Sequence, residues 1–87
     1  MTSKAGRTKM KISIEYCTVW NYDPKAVSLA DAVKNKFGIK PELIPSDGGA
    51  FEVSVDGDKI FSKLKTGRFP EHDEIFMAIE KVKTWNR

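Results

Sequence analysis

The sequence contains very few thiol and imidazole side chains. Among its 87 residues there is one cysteine, Cys17, and one histidine, His72. A single thiol cannot form an internal disulfide, and this pair of residues cannot supply the four ligands of a structural zinc site. The hydrophobic core must therefore hold the fold alone, and we expect no bound metal and no bound cofactor.

Long apolar runs are also missing. No stretch approaches the roughly 20 apolar residues that a membrane-spanning helix needs, and the polar start of the chain lacks the apolar segment of a secretory signal. With 40% hydrophobic and 31% charged residues, the composition is ordinary for a globular protein. We therefore expect a cytoplasmic protein without a membrane partner.

The excess of positive charge lies at one end of the chain. Lys4, Arg7 and Lys9 account for the whole net charge of +3, because residues 10–87 hold 12 basic and 12 acidic side chains. A domain that binds nucleic acid usually carries a basic face on its folded part. We therefore predict a flexible basic tail over residues 1–9 and, over 10–87, a single monomeric domain that does not bind nucleic acid.

Four segments have the character of strands. Residues 11–16 and 51–55 alternate between apolar and polar side chains, as a half-buried strand does. Asp56-Gly57 is a strong hairpin signal, so residues 59–62 form the returning strand. Residues 39–46 are bracketed by prolines, which cannot donate to a sheet ladder and so indicate an edge strand.

Two segments have helical spacing. The first begins at Asp23 as N-cap with Pro24 in the first helical position, and Gly38 ends it as a left-handed cap. Residues 63–69 are predicted to be a loop, after which Pro70 opens a last helix. The inner face of that helix contains the following residues: Ile75, Ala78, Ile79, Val82 and Trp85.

The order of elements is therefore β-α-β-β-β-α. The first helix is a crossover between parallel strands, and the hairpin adds antiparallel pairs. The natural closure is a two-layer α/β (α+β) fold in which both helices cover a four-stranded mixed sheet.

Cys17 lies where the first strand ends, which is where ligands bind in open α/β sheets. Cysteine is often buried and inert, but the strand alternation directs Tyr16 inward and Cys17 to the other side. The pattern thus favours an exposed thiol. No lysine or arginine within residues 12–24 would activate it, although Arg68 in a facing loop could supply charge.

Three blocks of sequence carry a resemblance to a known family. Tyr16-Cys17-Thr-Val-Trp20-Asn-Tyr precedes an amphipathic helix, Gly48-Gly-Ala-Phe-Glu-Val-Ser-Val55 leads to Asp-Gly and then to Ser62-Lys63, and Gly67-Arg-Phe-Pro-Glu71 opens the last helix. In this order and spacing, over residues 10–84, the chain resembles the selenoprotein W family, the Rdx group of thioredoxin-like proteins.

The resemblance implies a thioredoxin-like fold and a thiol-based role in cell redox homeostasis. Cys17 matches the first position of the family's motif, which is cysteine, two residues, then cysteine or selenocysteine. Trp20 occupies the second position, and an indole cannot resolve a mixed disulfide. A monothiol route with glutathione as co-substrate and thiol-containing proteins as targets is what remains. Trp20 is either a natural loss of the resolving group or a changed or misread selenocysteine codon.

A non-catalytic role on the same scaffold is the alternative. Thr18, Val19, Trp20 and Phe69 could form an exposed apolar patch for a regulatory protein partner, although Trp20 could equally fold into the core. Under the resemblance, Gly48 and Gly49 border the loop that follows Cys17. His72 is expected to be a solvated surface residue.

Overall fold

The computed structural model describes residues 10–85, with side chains up to Lys83. The predicted basic tail, residues 1–9, and the side chain of Trp85 lie outside the described residues. The elements are β1 (Ile12–Cys17), α1 (Asp23–Phe37), β2 (Glu42–Ser46), β3 (Phe51–Val55), β4 (Asp58–Ser62), α2 (Lys63–Thr66) and α3 (His72–Trp85). Within these residues no helix is long and apolar enough to cross a bilayer.

The four strands form one mixed sheet in the order β2-β1-β3-β4. β1 pairs with β2 in parallel and with β3 antiparallel, and β3 pairs antiparallel with β4. The prediction of a four-stranded mixed sheet is confirmed. β2 lies at an edge of the sheet. Pro45 has no N–H to donate, and an edge strand tolerates this because one of its sides has no neighbouring strand.

The core joins one face of the sheet to α1 and α3. Ile14 of β1 pairs with Val53 of β3, and both side chains are fully buried. Strand alternation places every second residue on this face, while helical spacing brings the buried residues of each helix onto one side. The remaining members of the cluster are Ile12, Ala26, Leu29, Val33, Phe51, Val55, Phe61, Ile75 and Ile79.

The ends of α1 differ slightly from the predicted ones. Asp23 is its first helical residue rather than its N-cap, and Tyr22 in the cap position makes no side-chain capping hydrogen bond with the described residues. The Asp23 carboxylate lies in the first turn, where its negative charge interacts favourably with the positive end of the helix dipole. At the other end Gly38 adopts φ 74° and its N–H donates to the carbonyl of Lys34, as predicted.

The predicted loop over residues 63–69 is partly wrong, because residues 63–66 form a single helical turn, α2. The Ser62 hydroxyl accepts a hydrogen bond from the Lys65 N–H at 3.1 Å, and the Thr66 hydroxyl donates to the Ser62 carbonyl at 2.9 Å. Gly67, at φ 80°, ends the turn. Four residues are too few to show an apolar period, so the pattern could not reveal this third helix.

Candidate functional site

Cys17 is the last residue of the central strand β1, and its side chain is fully buried. Its N–H donates to the carbonyl of Ala50 at 2.8 Å, and on the other side it pairs with Ser46 of β2. The expectation of an exposed thiol is therefore wrong. Alternation tells only which face of the sheet a side chain takes, and not whether the next turn lies against it; here the Trp20 N–H meets Cys17 Sγ at 3.4 Å.

The covering segment is the Cys17 turn, which we define as residues 18–21. The Thr18 N–H donates to the Ser46 carbonyl at 3.1 Å, and the Tyr22 N–H donates to the Cys17 carbonyl at 3.1 Å. The N–H of Trp20 points back at the thiol, with 3.4 Å between nitrogen and Cys17 Sγ. Asn21 completes the turn with φ 62°, a left-handed conformation that asparagine tolerates better than most residues.

Trp20 extends from this turn across to the segment before β3. Its side chain is 61% exposed, so it is neither a core residue nor a freely solvated one. A Cβ built on Gly49 would lie 3.2 Å from Cζ3 of the indole, which means that the ring rests directly on the glycine backbone. The predicted proximity of Gly49 to the Cys17 turn is confirmed, whereas no described atom lies within 4 Å of a Cβ built on Gly48.

Four aromatic rings run from the surface into the core beside the thiol. The Trp20 and Tyr22 ring centroids are 6.2 Å apart, those of Tyr22 and Phe69 4.7 Å, and those of Phe69 and Phe51 5.3 Å, all edge to face. Phe69 is half-buried, so it does not belong to an exposed patch as predicted. Thr18, Val19 and Trp20 remain exposed.

Two lysines lie over these rings. Lys63 Nζ is 5.4 Å from the Tyr22 centroid and 5.2 Å from that of Phe69, and Lys25 Nζ is 4.9 Å from the Phe69 centroid. Such ammonium–ring contacts hold the cations beside the Cys17 turn. Sequence reasoning missed Tyr22 and Lys25, because only the fold brings the start of α1 against Phe69.

Arg68 does not supply charge to the thiol as suggested by the sequence. Its guanidinium binds Glu74 through two hydrogen bonds of 2.9 and 2.8 Å. The side-chain hydrogen bond from Arg68, together with the Glu71 N–H and the positive charge, lowers the pKa of Glu74 from 4.5 to about 2. The hydrogen bond with Glu74 likewise raises the pKa of Arg68. This pair fixes the segment that carries Phe69.

Glu52 is a buried carboxylate that the sequence did not single out. It lies on β3, on the face opposite the core, and its side chain is 3% exposed. Oε2 accepts from the N–H groups of Leu64 at 3.2 Å and Phe51 at 3.4 Å, and Lys59 Nζ lies 3.1 Å from Oε1. Glu52 thus ties α2 to the sheet.

The pKa of Glu52 reflects two opposing influences. Burial by itself raises it, but hydrogen bonds with Ser62 and the Leu64 N–H, together with the ammonium of Lys59, outweigh burial and leave the pKa below 4.5. The carboxylate is therefore charged at neutral pH. The fixed α2 in turn holds Lys63 over Tyr22 and Phe69.

A cavity of about 380 Å³ lies between the first turns of α1 and the segment from Phe69 to His72. Its floor includes Leu29 and Phe51, and Lys25 and His72 line it. His72 is exposed, as predicted, and belongs to this cavity rather than to the surroundings of Cys17. Phe51 and Phe69 line this recess together with polar and charged side chains, whereas Cys17 does not line it.

Comparisons with known proteins identify the family of this chain. Residues 11–81 match the Rdx family. The chain is 36% identical to "Migration and invasion enhancer 1" of Bos taurus over 84% of its own length, and it spans 64% of the bovine protein. It is 32% identical to "Selenoprotein W" of Danio rerio, over 84% of this chain and 94% of the zebrafish protein.

A solved structure has the same fold. The selenoprotein W-related protein of Vibrio cholerae superimposes with a TM-score of 0.82 at 27% identity, over 86% of this chain and 98% of the bacterial one. The fold is thus thioredoxin-like, with three helices on a four-stranded mixed sheet. Sequence match, relatives and fold agree, and the chain belongs to the Rdx family, the selenoprotein W group of redox-associated proteins.

Proposed function

We propose that this protein is a monothiol redox protein that carries a glutathionyl group on Cys17, exchanging it with glutathione and with protein thiols of the cytoplasm. The observation that carries the proposal is the position of Cys17. It ends the central strand of a redox-associated fold, and the Trp20 N–H is directed at its sulfur.

The chemistry needs only one protein thiol. The Cys17 thiol loses its proton to solvent, and the thiolate attacks one sulfur of glutathione disulfide. A new S–S bond forms to Cys17 while the old one breaks, and the second glutathione leaves as a thiolate that takes up a proton. The disulfide is moved and no electrons are gained or lost overall. Attack by another thiolate on the glutathione sulfur releases Cys17 again.

The surroundings of the turn suit the co-substrate. Glutathione carries two carboxylates, and the ammonium groups of Lys63 and Lys25 lie over Tyr22 and Phe69 beside the turn. Because Cys17 is the only cysteine of the chain, resolution must come from an external thiol.

The experiment is intact-mass spectrometry after incubation with glutathione disulfide. We expect one glutathionyl group on the wild type, released by a reducing thiol, and none on Cys17→Ser. Trp20→Cys supplies a second thiol and is expected to replace the adduct with an internal disulfide. If the wild type remains unmodified while Trp20→Cys closes that disulfide, the scaffold is redox-competent but the monothiol proposal is wrong.

A second candidate function is a protein-binding module. The observation that favours it is the exposure of two neighbouring apolar side chains in the Cys17 turn, Val19 at 76% and Trp20 at 61%. A regulatory partner would bury these side chains without thiol chemistry. This candidate predicts that Cys17→Ser retains partner binding while a Val19→Ser, Trp20→Ser double variant loses it, whereas the redox proposal predicts that Cys17→Ser loses thiol-dependent capture.

A further inference from the structure

We propose that Trp20 and Gly49 control access to Cys17: the indole is a lid that rests on Gly49, and it must lift before any reagent reaches the sulfur. This inference rests on the proposed function, because a buried thiol can take part in thiol–disulfide exchange only if it can be uncovered. It goes beyond that function by assigning roles to two residues that carry no redox chemistry.

A lid is needed because the thiol is closed to solvent. Cys17 is fully buried although it ends a strand next to a turn. The Cys17 turn folds back so that the Trp20 N–H meets Sγ at 3.4 Å. Attack on a disulfide requires the sulfur to approach another sulfur in line, so the turn has to move first.

The contact that holds the turn closed is that of Trp20 with Gly49. The far edge of the indole lies against Gly49, where a Cβ would be 3.2 Å from Cζ3 and 3.5 Å from Cε3. Gly49 immediately precedes Ala50, whose carbonyl binds the Cys17 N–H. The indole therefore lies against the backbone next to the residue that binds the Cys17 N–H, and an alanine at position 49 would force the ring to shift by a few tenths of an ångström.

The closure that this contact provides is weak. Most of the indole remains in solvent, so lifting it exposes little additional apolar surface and costs little free energy. The sulfur is a weak hydrogen-bond acceptor, and the left-handed φ of Asn21 adds modest strain. Local opening of such a turn is therefore expected to be far more frequent than global unfolding.

The chain offers a matched pair of glycines to test the lid. Gly48 and Gly49 adopt φ of 70° and 78°, so an alanine strains the backbone similarly at either position. Only at Gly49 does the added methyl press against Trp20. The variant Gly49→Ala should displace the lid, while Gly48→Ala provides the same backbone strain without the contact.

The test measures the rate of Cys17 alkylation by iodoacetamide in the folded protein, which reports access independently of glutathione chemistry. We expect Trp20→Ala to accelerate labelling about tenfold or more, because the open fraction of the turn rises when the indole is absent. A tenfold larger open fraction corresponds to a free energy of opening lower by about 1.4 kcal/mol. Gly49→Ala should accelerate labelling in the wild type but add nothing in a Trp20→Ala background. Trp20→Phe should restore part of the protection.

Three results would overturn the lid. The first is an equal labelling rate for the wild type and Trp20→Ala. The second is an acceleration by Gly48→Ala as large as that by Gly49→Ala. The third is an acceleration by Gly49→Ala that persists in the Trp20→Ala background. Circular dichroism and thermal unfolding identify any variant that fails to fold. In a Trp85→Phe background Trp20 is the sole tryptophan, and its emission should change with Gly49→Ala and not with Gly48→Ala.

The two proposals fail in different ways. If the lid is real but the redox proposal is wrong, iodoacetamide labelling follows Trp20 and Gly49 while glutathione disulfide gives no adduct on any variant. If glutathione exchange occurs without a lid, the adduct forms at equal rates in the wild type and in Trp20→Ala.

Discussion

Two segments meet at the ring of Tyr22, which contacts Trp20 of one and Phe69 of the other, and they are held in different ways. The Cys17 turn follows β1 and is closed by backbone hydrogen bonds and one N–H directed at sulfur. The α2 segment, residues 62–74, follows β4 and is held by side chains: the Ser62 cap, the buried Glu52 carboxylate and the Arg68–Glu74 pair. The comparison suggests a fixed platform that carries Phe69 and Lys63, facing a turn that is built to open.

Removing the carboxylate beneath α2 should have the largest effect. Glu52→Ala leaves the Leu64 N–H and Lys59 without their partner, and we expect a loss of about 2–3 kcal/mol in the free energy of unfolding. The figure lies below that for a fully buried ion pair because Lys59 is half exposed. Urea unfolding followed by circular dichroism measures it.

Glu15 supplies the matched control for this variant. It is the cross-strand neighbour of Glu52 on β1 and accepts from the Ser46 hydroxyl at 2.8 Å. Glu15→Ala should cost about 1 kcal/mol or less, since it loses a half-buried hydrogen bond alone. Equal losses in the two variants would mean that Glu52 does not anchor α2.

Amide hydrogen exchange compares the two segments directly. The Leu64 N–H donates to a buried carboxylate, while the Trp20 N–H donates to a weak sulfur acceptor in the Cys17 turn. After correction for intrinsic rates, we expect Trp20 to exchange at least about tenfold faster than Leu64, because local opening sets exchange in the less stable segment. If an NMR exchange series shows similar protection for the Trp20 and Leu64 amides, the two segments do not differ in local stability.

Changing the left-handed residue of the Cys17 turn should have a smaller effect. Asn21→Ala keeps a Cβ at φ 62° but loses the amide that helps asparagine to adopt this conformation, and we expect a loss of about 1 kcal/mol. Asn21→Gly removes the Cβ and should be neutral or slightly stabilising. Thermal unfolding measures the difference between the two variants. If alanine and glycine are equivalent at this position, the turn does not hold the left-handed conformation in solution.

The smallest effect is expected from the exposed ion pair of the α2 segment. Arg68 lowers the pKa of Glu74 from 4.5 to about 2, so the stabilisation is fully present above pH 4.5 and is lost as the pH falls toward 2. Urea unfolding between pH 6 and pH 2, values chosen to bracket that pKa range, should show a shallower acid loss for Glu74→Gln. High salt should reduce the difference, because exposed pairs are screened. Identical acid profiles would show that the pair contributes nothing.

Most of the fold could be predicted from periodic patterns. The alternation of Ile12 and Ile14, the helical spacing of Ala26, Leu29 and Val33, and the Asp-Gly hairpin each identify an element from neighbouring residues alone. α2 escaped prediction because four residues contain no complete period. Element ends shifted by one to three residues, as at Asp23, at Glu42 in the strand predicted from residue 39, and at His72 in the helix predicted from Pro70. Backbone geometry defines these ends, and composition does not specify it.

The candidate site was less predictable. Its thiol, its turn and Gly49 were identified, but the burial of Cys17 was predicted wrongly and Arg68 proved to be engaged by Glu74. Tyr22 and Lys25 were missed because their contacts with Phe69 cross about 45 residues of chain, over which no local pattern extends. The pairing of Glu52 with Leu64 was missed because an outward strand position usually faces water.

The sequence by itself determined the secondary structure apart from α2, the mixed sheet, and the presence of one thiol with a tryptophan where the family's motif has its second sulfur or selenium. These features depend on period, turn chemistry and residue identity, all of which are local. Only the tertiary structure decided that the thiol is closed, that an indole rests on Gly49 and that a buried carboxylate anchors α2. Exposure depends on which distant segment packs against a residue, and that is settled when the chain has folded.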